Sequence, residues 1–302
     1  MKAAAVQMTS TRDVQANLRE AGRLCGEAAE RGARLVVLPE NFSFLGATDS
    51  DRVAAIERSG DGPAQQFLAE TAESLGIWIV GGTIPIRDGG DRASSRSLLV
   101  GPDGRVAAHY DKIHLFDVDI PGRATTARDG GSAANAGEGM DARGRATQGA
   151  VAGSDLRPER YSESATTLSG TRVVAAKTPV ARIGMTVCYD IRFPALFHRL
   201  SVLGTDVVVV PAAFTVPTGE VHWLPLLQAR AIESLVFVVA AGQWGEHAGG
   251  RKTYGHSLIL GPWGELLAEL PAGPGVVCAD LDMIRLAELR QRFPTVSHRR
   301  EL

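Results

Sequence analysis

Apolar residues fall along this chain in two rhythms. Between residues 14 and 31, Val14, Leu18, Ala21, Leu24, Cys25 and Ala28 recur at three- and four-residue steps, which places them on one face of a helix. Short continuous apolar runs read instead as buried strands, at residues 3–8, 35–38, 78–83, 183–187, 206–210, 236–241, 253–260, 266–270 and 276–281. Residues 97–100 and 106–110 flank Gly101-Pro102-Asp103-Gly104 and predict a hairpin, and Gly261-Pro262-Trp263-Gly264 joins two later strands in the same way. Gly62-Pro63 opens a helix through Leu75, with proline where no intrahelical N–H bond is lost. Further helices are predicted at 194–203, at 221–234 with Pro225 in the first turn, and at 282–292. This alternation, with hairpins between, predicts an α/β chain of mixed sheets covered by helices.

One stretch breaks both rhythms. Residues 123–158 contain seven glycines, five arginines, four acids, no aromatic residue and only Met140, Val151 and Leu156 as large apolar side chains. So little apolar surface does not offset the entropy of ordering, and the stretch is expected to be a flexible surface insertion. Residues 1–302 are otherwise expected to form a single domain.

Charge and composition narrow the classes of function. With 32 basic and 34 acidic residues the net charge is −2, which gives no electrostatic footprint for nucleic acid or anionic lipid. No apolar run approaches the roughly 20 residues that span a bilayer, and MKAAAVQMTS lacks the apolar core of a secretory signal. Three cysteines are too few for a disulfide framework and point to a reducing, cytoplasmic setting. The seven histidines show no ligand spacing, so no metal site is expected. Gly81-Gly82 lacks the context of a phosphate-binding loop, and no cofactor is expected either.

Candidate chemistry lies where strands end. Cys188 follows an apolar run and precedes Tyr189-Asp190-Ile191-Arg192-Phe193-Pro194, an abrupt change that suggests a strand-to-helix elbow facing a cleft. A helix starting there is expected to favour the thiolate. Cys25, on an apolar helical face, and Cys278, inside a strand, fit the ordinary reading of inert buried thiols. Glu40 after Leu38-Pro39 and Lys112 after Tyr110-Asp111 are weak signals singly, each as readily a surface residue.

In combination they are specific. Leu38-Pro39-Glu40-Asn41-Phe42, then Tyr110-Asp111-Lys112-Ile113-His114-Leu115-Phe116-Asp117, then Val187-Cys188-Tyr189-Asp190-Ile191-Arg192-Phe193-Pro194 occur in order. Together they resemble the three signature segments of the nitrilase, or carbon–nitrogen hydrolase, superfamily. The likeness extends from Ala5-Val6-Gln7 through Pro211-Ala212-Ala213-Phe214, Arg230-Ala231-Ile232-Glu233 and Tyr254-Gly255-His256-Ser257, leaving only residues 123–158 outside it. The resemblance implies an α-β-β-α four-layer sandwich and a Glu-Lys-Cys triad of Glu40, Lys112 and Cys188. It also implies a second, supporting glutamate, for which Glu163 in Tyr161-Ser162-Glu163-Ser164 is the candidate. The following Ser169-Gly170 lacks the proline that family members usually have there. The insertion separates Lys112 from Glu163 in sequence, and a long loop adds only about 0.6 kcal/mol of closure cost per doubling of its length. It is compatible with an intact site and could cover it.

The run His114-Leu115-Phe116-Asp117-Val118-Asp119-Ile120-Pro121-Gly122, with Pro262-Trp263-Gly264 and Ser297-His298-Arg299-Arg300, looks like the branch of ω-amidases and deaminated-glutathione amidases. That likeness implies a small amide substrate bearing carboxylates, with Arg192 and Arg230 as possible partners; a structural ion pair is an equal reading of Arg230. Tyr189, whose backbone N–H follows the nucleophile, and Phe214 and Thr215, after a strand end, are candidate substrate contacts. Relatives commonly form dimers or higher homo-oligomers, and the same is expected here. The rival readings are a nitrilase or aliphatic amidase, an N-carbamoyl amide hydrolase, and a scaffold that keeps the fold without catalysis.

Overall fold

A computed structural model describes residues 1–120 and 159–300. The chain divides into a main unit, Met1–Phe116 with Glu163–Leu302, and a small unit, Asp117–Ser162. The insertion expected at 123–158 lies outside the described residues. Within the small unit, strands Asp117–Ile120 and Glu159–Ser162 pair antiparallel, with Ile120 opposite Glu159.

The main unit is built from two large sheets. The first has the order Gly275–Asp280, Lys2–Gln7, Leu35–Val37, Trp78–Val80, Ala93–Val100, Ile84–Arg87, Glu57–Arg58, and Val106–Asp111 and Thr167–Leu168 also pair with Ala93–Val100. The second runs Ala175–Lys177, Arg182–Met185, Val207–Ala212, Phe237–Gly242, Ser257–Leu260, Leu266–Leu270. Period-two alternation assigns the first sheet's side chains to two cores. Ala3, Ala5, Leu35, Val37 and Val80 face the core shared with Val207–Val210, Val238 and Val239 of the second sheet. Ala4, Val6, Val36, Leu38 and Ile79 face the core shared with Leu18, Leu24 and Leu68 of helices Val14–Glu30 and Pro63–Leu75. Helices Pro194–Val202 and Val216–Ser234 supply Leu196, Phe197, Leu200, Leu227 and Ala231 to the second sheet's side. Helix, sheet, sheet, helix is the four-layer sandwich expected.

Three elements differ from the sequence reading. The helix expected at 221–234 begins at Val216, so Pro225 sits inside it rather than in its first turn. Pro225 cannot donate to the carbonyl of Val221, but both residues are exposed, so water can satisfy that carbonyl. The strand expected at 253–260 is two strands, Lys252–Tyr254 and Ser257–Leu260, because Gly255 and His256 take left-handed φ values of 72° and 51°. The strand expected at 78–83 stops at Val80, and Gly82 at φ 43° turns the chain so tightly that a Cβ there would lie 2.0 Å from the carbonyl oxygen of Pro39. That close approach packs the turn directly against the segment carrying Glu40.

Candidate active site

Each signature segment leaves its strand at the same end of the core. Leu35–Val37 gives way to Leu38-Pro39-Glu40, and Asn41 follows at φ 59° with its N–H donating to Thr83 Oγ1 at 2.9 Å. Lys112 directly follows Val106–Asp111, its N–H bonded to the Ser95 carbonyl at 3.0 Å and its carbonyl accepting from Gly170 N–H at 2.8 Å. A Cβ at position 170 would lie 2.0 Å from the Asp111 carbonyl oxygen, so glycine is what lets the stretch after strand Thr167–Leu168 lie on the lysine segment. Cys188 opens a short 3₁₀ turn, Cys188–Arg192, three residues beyond the end of Arg182–Met185. Its φ of 47° is a left-handed conformation that costs a residue with a Cβ about 1–3 kcal/mol.

The structure brings the four predicted residues together. Lys112 Nζ lies 2.8 Å from Glu40 Oε1 and 2.8 Å from Glu163 Oε2. The lysine side chain is 2% exposed and the two carboxylates 6% and 11%, which makes this a buried ionic cluster rather than a screened surface pair. Glu163 Oε2 also accepts the Phe116 N–H at 2.8 Å, and Glu40 Oε2 accepts the Ala213 N–H at 2.9 Å. Burial works against the Lys112 ammonium, but Glu163 and Glu40 outweigh it and hold its pKa above the ordinary lysine value.

The thiol behaves otherwise than expected. Burial pushes the pKa of Cys188 well above that of a free cysteine, and the neighbouring Glu40 carboxylate pushes it further, while Lys112 and the Ala213 N–H pull the other way. The turn at Cys188 is a single five-residue 3₁₀ segment, so its dipole is too small to favour the thiolate against loss of water. Burial and the carboxylate both favour the neutral thiol over the thiolate, with the Glu40 side chain close beside the sulfur. Cys25 is deeply buried with its thiol pushed up to about 12, in keeping with an inert packing role.

Around this cluster lie the expected contact residues. Tyr189 meets Phe116 edge-on at 5.0 Å and Phe193 at 5.3 Å. The Arg192 guanidinium sits 5.7 Å from the Tyr189 ring centre and 5.6 Å from that of Phe214, with Nη2 3.2 Å from His222 Nδ1. Arg192 has no carboxylate in salt-bridge range among the described residues, whereas Arg230 donates to the Ile191 carbonyl at 2.8 Å and to Glu233 at 2.7 Å. The structural reading of Arg230 is thus the one the geometry supports. Phe214 packs on Trp223 at 4.9 Å, and the Thr215 hydroxyl lies 2.9 Å from that of Thr218 at the start of a helix.

Two features escaped the sequence reading. Asp190, fully buried, accepts from Val187 N–H at 2.8 Å, Tyr110 O–H at 2.7 Å and His114 N–H at 3.1 Å, and its Oδ1 is 2.7 Å from His114 Nδ1. It ties the cysteine elbow to the lysine segment, and its place inside the third motif was a usable signal. Gln243 and Ser10, both fully buried beneath Glu40, carried no such signal. Among the described residues no group of three or more His, Cys, Asp or Glu is placed to hold a metal ion, and no helix is long and apolar enough to cross a membrane.

Comparison with known proteins finds similarity along nearly the whole chain. A deaminated glutathione amidase from Synechocystis is 37% identical over 98% of this chain and 97% of its own length. An omega-amidase, NIT2, from Danio rerio is 33% identical over 98% of this chain and 94% of its own. Among solved structures, the NitFhit protein of C. elegans superposes with a TM-score of 0.80 at 31% identity, covering 99% of this chain and 65% of that one. An amidase from Nesterenkonia, in a form with acrylamide added to its active-site cysteine, gives 0.70 at 25% identity over 97% of this chain and 99% of its own. The carbon–nitrogen hydrolase model matches residues 2–291, and the chain belongs to that family.

Proposed function

We propose that this protein is an amidase that hydrolyses the C–N bond of a small, carboxylate-bearing amide, with Cys188 as nucleophile, Glu40 as proton acceptor and donor, Lys112 as oxyanion stabiliser and Glu163 as support for the lysine. The observation that carries this reading is the buried lysine held between two carboxylates beside a thiol on a strained elbow. In the resting site Glu40 takes the thiol proton as sulfur attacks the amide carbonyl. A lysine ammonium has three N–H donors; two are committed to Glu40 and Glu163, and the third is available to the developing oxyanion with the Tyr189 backbone N–H. Collapse breaks the C–N bond as Glu40 returns the proton to nitrogen, and ammonia leaves. Glu40 then deprotonates water, hydroxide attacks the thioester, and the acid product departs as the thiol is restored.

Arg192 is the residue we assign to the substrate's carboxylate. Aromatic rings on two sides hold its guanidinium, and its partner His222 is a weak competitor, its basicity lowered by partial burial and by Arg192 itself. Substrates of the kind named for the relatives, deaminated glutathione or an ω-amide of an α-keto acid, fit this pairing of amide and carboxylate. The unpaired state of Cys25, Cys188 and Cys278 supports a reducing, cytoplasmic setting. The exposed Ile232, Trp263 and Phe293 support self-association.

The test is ammonia release from deaminated glutathione, an α-keto ω-amide, an aliphatic amide, a nitrile and an N-carbamoyl compound. Turnover of the first two, lost by roughly 10⁴-fold or more in a folded Cys188→Ala variant, is the expected result. Carbon dioxide released with ammonia from the N-carbamoyl compound, or turnover that survives in Cys188→Ala, would overturn it.

A further inference from the structure

We infer that Gln243 is a positioning residue for Glu40, fixing the base through its backbone; this rests on the reading of Glu40 as proton acceptor. Gln243 is fully buried and immediately follows strand Phe237–Gly242. Its Nε2 donates to the Glu40 carbonyl at 3.0 Å and to Ser10 Oγ at 2.6 Å, and its Oε1 accepts the Ser10 N–H at 2.9 Å. Ser10 Oγ in turn donates to the Phe42 carbonyl at 3.0 Å. The carbonyls on either side of Asn41, whose φ is 59°, are therefore gripped from below, one directly and one through Ser10. His247 completes the network, with Nδ1 2.9 Å from the Ser10 carbonyl and Nε2 2.7 Å from Thr253 Oγ1.

These contacts close a ring around the base. The Gln243 backbone N–H donates to the Ala212 carbonyl at 2.9 Å, and the next residue, Ala213, donates its N–H to Glu40 Oε2 at 2.9 Å. Two neighbouring strand ends of the second sheet thus hold Glu40, one its carboxylate through the Ala213 N–H and the other its main chain by way of the Gln243 side chain. A carboxylate fixed at both ends cannot swing away from the thiol, and misplacement by about 1 Å in an active site can cost 10²-fold in rate. Glutamine suits the position because one planar group supplies two donors and an acceptor. An apolar side chain of equal length would leave the Glu40 carbonyl and two groups of Ser10 without these partners.

The experiment compares Gln243→Met, Ser10→Ala and Glu40→Gln with the wild-type protein. It measures kcat, KM, thermal stability and the pH midpoint of Cys188 alkylation by iodoacetamide. In Gln243→Met, kcat is expected to fall about 10²-fold with KM little changed. The alkylation midpoint is expected to move towards lower pH, in the direction of Glu40→Gln, because a displaced carboxylate no longer disfavours the thiolate. A merely structural role would lower thermal stability and leave both the kcat of the folded fraction and that midpoint in place, and such a result overturns the inference. Should Gln243→Met not fold, Ser10→Ala is judged by the same midpoint and a smaller fall in kcat. Turnover that survives in Glu40→Gln sinks the reading of Glu40 itself. A dead Glu40→Gln beside an unaltered Gln243→Met sinks only the role of Gln243.

Discussion

The seats of Glu40 and Cys188 lie side by side and are built by opposite means. The cysteine elbow is held from close by in sequence: Asp190, two residues on, reaches back to the Val187 N–H and spans to Tyr110 and His114. Glu40 is held by groups distant in sequence: the Lys112 ammonium, the Ala213 N–H, and the Gln243 amide, which Ser10 braces. Local bonding suits Cys188 because its left-handed φ must be maintained whatever the sheets do. Remote bonding suits the base role proposed for Glu40, which requires a fixed distance from a group on the second sheet. Strain is thus restrained locally, and alignment is inherited from the packing of two layers.

Three perturbations sharpen that contrast. The largest effect is expected from Glu40→Gln. Lys112 keeps Glu163, so the chain folds, while turnover falls by roughly 10⁴-fold or more. Glu40 is one of the groups that raise the Cys188 pKa, so its neutral amide must lower that pKa and move thiol alkylation to lower pH, though burial still keeps the thiol weakly acidic. A shift towards higher pH would show that Glu40 is not electrostatically coupled to the sulfur. Next comes Asp190→Ala, which leaves the Val187 N–H, Tyr110 O–H and His114 without their acceptor. Stability should drop by at least about 3 kcal/mol in denaturant titration, and kcat of the folded protein by about 10²-fold. A stability loss with unaltered kcat would break the comparison, since the elbow would then hold without its anchor.

The smallest effect concerns the remote network. Burial lowers the pKa of His247 from 6.5, with its bond to the Ser10 carbonyl opposing and Arg251 adding to the fall. Above pH 6.5 the imidazole is neutral folded and unfolded alike; below it the unfolded chain takes up the proton first, so stability declines as pH drops. The slope should not exceed about 1.4 kcal/mol per pH unit for this one group. It should flatten in His247→Gln, measured as unfolding midpoint between pH 7 and pH 5.5. An unchanged slope assigns the acid sensitivity elsewhere.

How much of this was legible in the sequence follows the same division. Cys188 announced itself because apolar residues stop and polar ones start there, and Glu40 and Lys112 gained meaning from the order of their segments. Helix Val14–Glu30 was readable from its spacing and helix Pro63–Leu75 from the proline at its first turn. The start of helix Val216–Ser234 was not, since Pro225 looks like an interruption until its exposed face is known. Gln243 was hidden for a deeper reason. It ends an apolar run as an ordinary polar residue, and its partner Ser10 lies 233 residues away, so nothing local records their pairing. The direction of the thiol's shift was equally hidden, because desolvation depends on the layers that close over Cys188.

The lysine between two carboxylates has one more consequence, for traffic through the site. Two negative groups around one positive group leave a single net negative charge in a region shut off from water. Moving a proton from sulfur to Glu40 relocates that charge without creating another, so the first step requires no new ion to be solvated. The neutral amide of an incoming substrate meets no repulsion there. Once hydrolysed, the same carbon belongs to an acid that ionises, and its new carboxylate faces like charge at short range in a low-dielectric setting. A site of this charge favours the neutral amide over the ionised acid and hastens product release, while the direction of turnover is set by the free energy of hydrolysis itself.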